Sequence, residues 1–133
     1  MATLASALGC DLPSYAAEDS HDLLPLLKGE VTAVRTTHIH NTQTDRYAIR
    51  HGDWLLIDGR NGYVTQRNPA WEERRGYPPD DDSPVQLYRL KTDLAQKHNL
   101  AAAHPEVVAQ LQALLQQLRE QGHSAPRLQA ANR

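Results

Sequence analysis

No phenylalanine occurs in these 133 residues, and all aromatic residues together make up 5% of the chain. Aromatic side chains bury the most area each. A core built from this sequence therefore rests on Leu, Val, Ile and Ala, with two Trp and five Tyr. Cysteine is almost missing. Cys10 stands alone, which excludes an internal disulfide and a cysteine zinc cluster and leaves the redox compartment open. There is no excess of positive charge either: the formal net charge is −2, which argues against the basic stripe of a nucleic-acid-binding domain. Apolar runs last only a few residues, so no segment reads as a membrane span. The opening MATLASALGCDLP lacks the basic start and long apolar middle of a signal peptide, so no export signal is expected within the chain.

What is present suits one small domain. Apolar residues make up 40% of the chain, and a domain of this length buries roughly two thirds of the surface its unfolded form exposes. Thr3 to Leu8 reads as the last turns of a helix stopped at Gly9, with no start signal before it; such a helix is expected to begin ahead of Met1. Asp19-Ser20 opens a short helical turn through Leu24, limited by Pro25 and Gly29. Val31 to Ile39 is rich in β-branched residues and reads as a strand, followed by a polar loop at 41–45. Arg46 to Arg50 and Trp54 to Ile57 read as strands joined by the tight turn His51-Gly52-Asp53.

Residues 63–83 give no clear pattern, and the run from Gly76 to Pro84 has the Pro and Asp content of a loop. Val85 to Leu90 reads as a fourth strand. Pro105 to Gln121 is the best helix: Pro suits its first position, Glu106 suits the positive end of its dipole, and Gly122 ends it. Val107, Val108, Leu111, Leu114, Leu115 and Leu118 form one apolar stripe. The expected fold is α+β, a small antiparallel sheet of about four strands packed against a long C-terminal helix. The module spans 1–122, with 1–29 as helix end and lead-in, and the tail 123–133 is expected to be disordered.

Chemistry is sparse. His38 and His40 lie two apart on a strand and so point to one face. A metal site there needs further ligands, and none stands at a convincing spacing. Cys10 has no base at a telling position, and a small buried apolar residue is the simpler reading. Asp80-Asp81-Asp82 offers oxygen ligands but lacks the glycine and spaced acids of a calcium loop. No Ser-His-Asp set, paired carboxylates or phosphate-cradling glycine loop stands out.

Three stretches together resemble the sulfatases, the arylsulfatase-type sulfuric ester hydrolases, near their C-terminus. LYRLKTDLAQKHNLAAAHPEVVAQL matches the family pattern through Leu87, Tyr88, Leu90, Asp93, Asn99 and Leu100, and departs from it at Arg89, Leu94 and Gln96. RYAIRHGDWLLI matches through Tyr47, Ala48, Ile49, Arg50, Gly52, Trp54 and Leu56, with Leu55 in place of the usual Lys. ATLASALGCDLPSYAAEDSHDLLPLLKG resembles the family's Pro-Thr-Leu-x-x-Leu-x-Gly, Leu-Pro and Ser-Leu-Leu-Pro-Leu-Leu-x-Gly elements.

The resemblance implies a C-terminal subdomain whose catalytic domain is elsewhere. That domain would carry the formylglycine nucleophile and the calcium ligands; Cys10 has its proline one place too late, so no catalytic or metal residue carries over. The chain alone is expected to be inactive. Asp93 and Asn99 are expected to shape the strand-to-helix passage by bonding nearby backbone, and Arg50 to pair with an acidic group at the sheet end. His38, His40 and Arg46 are the candidates for a rim facing a sulfated ligand. The implied partner is a sulfatase catalytic domain, with no nucleic acid and no membrane. A rival reading is a non-catalytic interaction module that self-associates, and a third is a small metal-binding protein using His38 and His40. A large exposed apolar patch is expected in the isolated chain.

Overall fold

The computed structural model describes residues 1–13, 15–43, 46–59, 68–77 and 83–126. In chain order the elements are α1 (Ala2–Leu8), α2 (Leu24–Leu27), β1 (Thr37–Gln43), β2 (Arg46–His51), β3 (Trp54–Asp58), α3 (Pro69–Arg74), β4 (Val85–Arg89) and α4 (Pro105–Gln121). They fall into two compact units, Thr37–Leu115 and Met1–Thr36 with Gln116–Arg133.

The first unit is built on a four-stranded antiparallel sheet in the order β1-β2-β3-β4. The β2–β3 hairpin closes over two residues, and Gly52 at the first of them takes a φ of 58°. Glycine enters that left-handed region at no steric cost, which is why the sequence places it there. Cross-strand register lines up Ile39, Ile49, Leu56 and Leu87 as one row across the sheet. Ile49, Leu56 and Leu87 are fully buried, as is Leu115 of α4, and Leu111 one turn earlier nearly so. Each such side chain contributes roughly 1.5–3 kcal/mol by leaving water. The Gln112 amide donates to the Asp58 carboxylate at the end of β3, 3.1 Å away, which seats α4 on the sheet. The α+β architecture expected from the sequence is the one observed.

Boundaries shift where neighbours overrule local composition. The strand expected over 31–39 runs instead from Thr37 to Gln43, because only from Thr37 onward does it pair with β2. That pairing also draws Asn41 into the ladder, where polar composition suggested a loop; the register breaks between Asn41 and Gln43. The early helical turn expected from Asp19 forms later, as α2, with Pro25 inside its first turn, where a missing N–H costs nothing. Helix α3 lies in the stretch without a clear pattern. The Asn68 side chain caps it by accepting from Trp71 N at 3.1 Å, and Pro69 opens it. Leading into α4, the Trp54 ring meets His104 edge-on at 5.3 Å, and the Arg89 guanidinium lies over the same ring at 5.6 Å.

The second unit is held by polar ties over long sequence separations. The Leu23 N–H donates to Thr3 Oγ1 at 3.0 Å, joining α2 to α1. Ser124 donates from both its backbone N–H and its hydroxyl to Asp19 Oδ1, each at 2.8 Å. Ala125 is buried, and its N–H donates to the Glu18 carbonyl at 3.1 Å. The tail expected to be without structure is thus tied down at 124 and 125, and 127–133 lie outside the described residues.

Candidate functional site

Strand alternation decides which side chains share a face. His38 pairs with Arg50 and His40 with Ala48, so these four point away from the Ile39–Leu87 row. Arg46, two residues before Ala48 on β2, falls on that same side. The structure therefore brings His38, His40, Arg46 and Arg50 to one face of the β1–β2 half of the sheet. His40 and Arg50 are exposed, and His38 and Arg46 are half-buried. On the β3–β4 half, that face carries buried Leu55, Gln86 and Tyr88, and the Tyr88 hydroxyl donates to Gln86 Oε1 at 3.1 Å. Arg50 donates from Nε to the Gly52 carbonyl at 3.2 Å, a tie within its own hairpin. The Arg46 side chain passes over Gly59, close enough that a side chain there would touch it.

The strand-to-helix passage is shaped by two side chains. Asp93 accepts the Lys97 N–H at 3.0 Å on one oxygen and the His98 N–H at 2.8 Å on the other. Burial works against its charge. The two backbone donors and the nearby His98 and Lys97 outweigh that and hold the carboxyl below its ordinary value. Asn99 reaches sideways to β4: its Oδ1 accepts from Leu87 N and from Ala101 N, both at 3.0 Å, and its Nδ2 donates to the Val85 carbonyl at 3.3 Å. Leu100 N completes the set by donating to the Leu87 carbonyl at 2.7 Å. Lys97 links the passage to α3, with its ammonium on the Arg75 carbonyl and 5.0 Å above the Tyr77 ring.

A third feature arises only in three dimensions. A cavity of about 150 Å³ opens in the second unit, lined by residues that include Leu12, Ala16, Ser20, His21 and Ala125. His21 lies against it with a buried Nε2 that has no hydrogen-bond partner among the described residues. Burial and the Arg35 charge push the imidazole below its ordinary pKa, and Asp19 opposes them. Two bonds from Ser124 hold the Asp19 carboxyl low, burial opposes them, and His123 and His21 add to the lowering. Nothing in the local pattern around His21 signals this group, because Ser124 lies 105 residues from Asp19.

Among the described residues, no three His, Cys, Asp or Glu side chains converge as a metal-binding group, and Asp80, Asp81 and Asp82 lie outside them. Cys10 is exposed, contrary to the buried role expected of it. It follows the left-handed cap Gly9 of a helix that has no buried residue, so there is no interior for it to enter.

No family model matches the chain. The N-acetylgalactosamine-6-O-sulfatase of Bacteroides thetaiotaomicron is 33% identical over 118 residues, which is 89% of this chain and 22% of that enzyme. A solved structure from work on the metabolism of multiple glycosaminoglycans by the same organism superposes with a TM-score of 0.67 at 30% identity. That superposition covers 90% of this chain and 24% of the other. The chain thus spans less than a quarter of the length of either relative. Over nearly all of its residues, this chain is similar in sequence to less than a quarter of a sulfatase, and in fold to less than a quarter of that solved structure.

Proposed function

We propose that this chain is the supporting subdomain of a sulfatase that hydrolyses a sulfate ester to the free hydroxyl and inorganic sulfate. The observation that carries the reading is the joint match in sequence and fold over about nine-tenths of this chain but under a quarter of each relative. The similarity to an N-acetylgalactosamine-6-O-sulfatase makes a sulfated amino sugar the substrate class to test. Formylglycine and calcium belong, on this reading, to the catalytic body that partners the chain. When bound there, they supply the nucleophile and the charge that holds the sulfate.

This chain's own part is twofold. Asp93 and Asn99 fix the passage from β4 to α4, and the His38, His40, Arg46 and Arg50 face offers donors at the substrate rim. A guanidinium suits the planar, paired recognition of sulfate oxygens. No observation favours the rival self-associating module over this reading.

The test is turnover by the purified chain of 4-nitrophenyl sulfate and of N-acetylgalactosamine 6-sulfate. No product above the buffer blank is expected. Clear turnover would overturn the supporting role. The rim is tested by titrating N-acetylgalactosamine 6-sulfate into the chain while following the imidazole NMR signals. Shifts at His38 and His40 that fade in Arg46→Ala are expected, and a flat titration removes the rim.

A further inference from the structure

The cavity beside His21 belongs neither to the rim nor to the strand-to-helix passage. Its volume of about 150 Å³ is large for a natural interior, where voids bigger than a water molecule are few. Leu12, Pro13, Ala16, Ala17 and Ala125 give it a mainly apolar wall. Three stretches of chain meet there, and hydrogen bonds hold them together. Ala2 N, at the start of α1, donates to Ser20 Oγ at 2.9 Å. Ser124 and Ala125 tie the C-terminal stretch to Asp19 and Glu18. Ala17 takes a φ of 59°, a left-handed conformation that is costly for a residue with a Cβ. Strained residues of this kind cluster at ligand-binding positions.

Among the described residues, His21 Nε2 is the single buried side-chain nitrogen or oxygen without a hydrogen-bond partner. Such atoms normally have one. Ser20 and Asp22, which also line the cavity, are already engaged: Ser20 accepts from Ala2, and Asp22 Oδ1 accepts from Leu24 N at 2.8 Å. Water suits the space poorly, since each buried water needs two to four polar partners and a wall of Leu, Pro and Ala supplies few. An apolar cavity of about 150 Å³ instead takes up a ring the size of benzene. Ions suit it no better. A charged ligand would leave water for an apolar wall, and the acidic Glu18 and Asp22 in the lining oppose an anion. Burial, with Arg35 adding to it and Asp19 opposing, favours the uncharged imidazole of His21. Its nitrogen donates or accepts according to the tautomer, and a hydroxyl can meet either. We propose that this cavity binds a small uncharged ring compound carrying a hydroxyl, of the size of phenol, with the hydroxyl on His21 Nε2 and the ring against Leu12, Ala16 and Ala125. The site uses no residue of the rim and stands independently of the sulfatase reading.

The test titrates phenol, benzene and benzoate separately into the isotopically labelled chain at a pH of about 7.5, where a phenol keeps its proton. NMR follows the His21 ring and the backbone amides. With phenol, saturable shifts are expected at the His21 imidazole and at the amides of Leu12, Ala16 and Ala125. Benzene should give the same pattern but bind roughly five times more weakly, the worth of one ordinary hydrogen bond. Benzoate should give no saturable shift at these positions. In His21→Leu, phenol should fall to the affinity of benzene. Phenol shifts that never saturate, or that follow the exposed Leu4 and Leu8 rather than the cavity, would overturn the site and leave a packing void. Equal affinity for phenol and benzene in the unaltered chain, or a lead for phenol that survives His21→Leu, would overturn the contact with His21. Benzoate bound as tightly as phenol would overturn the uncharged class. Should His21→Leu lose its fold, the three probes on the unaltered chain decide alone.

Discussion

Asn99 supplies from one side chain the hydrogen bonds that a fifth strand would otherwise give to β4. Its amide answers both the Leu87 N–H and the Val85 carbonyl. Asn99→Ala leaves both part-buried backbone groups without this partner, and each such loss costs up to about 1–3 kcal/mol. A fall of several degrees in Tm is expected, read by circular dichroism. Asp93→Ala should also lower Tm, but by less, since the Lys97 and His98 N–H groups it serves lie in a more exposed turn; an unchanged Tm would remove Asp93 from the passage. These two residues were legible in the sequence because Asp and Asn favour bonds to nearby backbone. What the sequence hid was direction, since Asn99 bonds a strand 12 and 14 residues away.

At the level of elements, Ile49, Leu56 and Leu87 of the cross-strand row and Leu111 and Leu115 of α4 are buried in the core. Leu56→Ala and Leu115→Ala should each cost about 2–5 kcal/mol, measured by urea unfolding. Gln112→Ala should cost only about 1 kcal/mol, because its bond to Asp58 is part-buried and polar. Helix α4 was readable to its ends because its stripe, Pro105, Glu106 and Gly122 all agree. Strand β1 begins later than its composition suggests, because Val31 to Thr36 have strand composition but no partner strand among the described residues, and pairing decides. Helix α3 was missed although Asn68-Pro69 is a start signal; the six residues that follow are too few to show a period. The same-face placement of His38 and His40 was legible in the sequence. Their company with Arg46 and Arg50 depended on register, which single-strand patterns do not contain.

For the molecule as a whole, the shifted groups among the described residues, His21, Asp19 and Asp93, act in one direction with pH. His21 has a folded pKa below its ordinary value of 6.5. The unfolded chain therefore takes up its proton first, and stability is lost as pH falls below about 6.5. Asp19 and Asp93 are likewise depressed below 3.8, so their contribution is present above that value and is lost as pH falls through their folded values. Tm measured from pH 8 downward should decline in two stages, the first starting near 6.5 and the second below about 4. His21→Gln should flatten the first stage and leave the second. A Tm that rises on acidification from pH 7 would contradict both assignments.

The edge that Asn99 closes carries a last consequence. The two outer strands of an open sheet are where foreign strands can add and seed fibres. β4 has its outer backbone groups answered by Asn99 and Leu100, whereas β1 forms the opposite margin of the sheet. Removing a single amide at position 99 would reopen the β4 margin to an added strand.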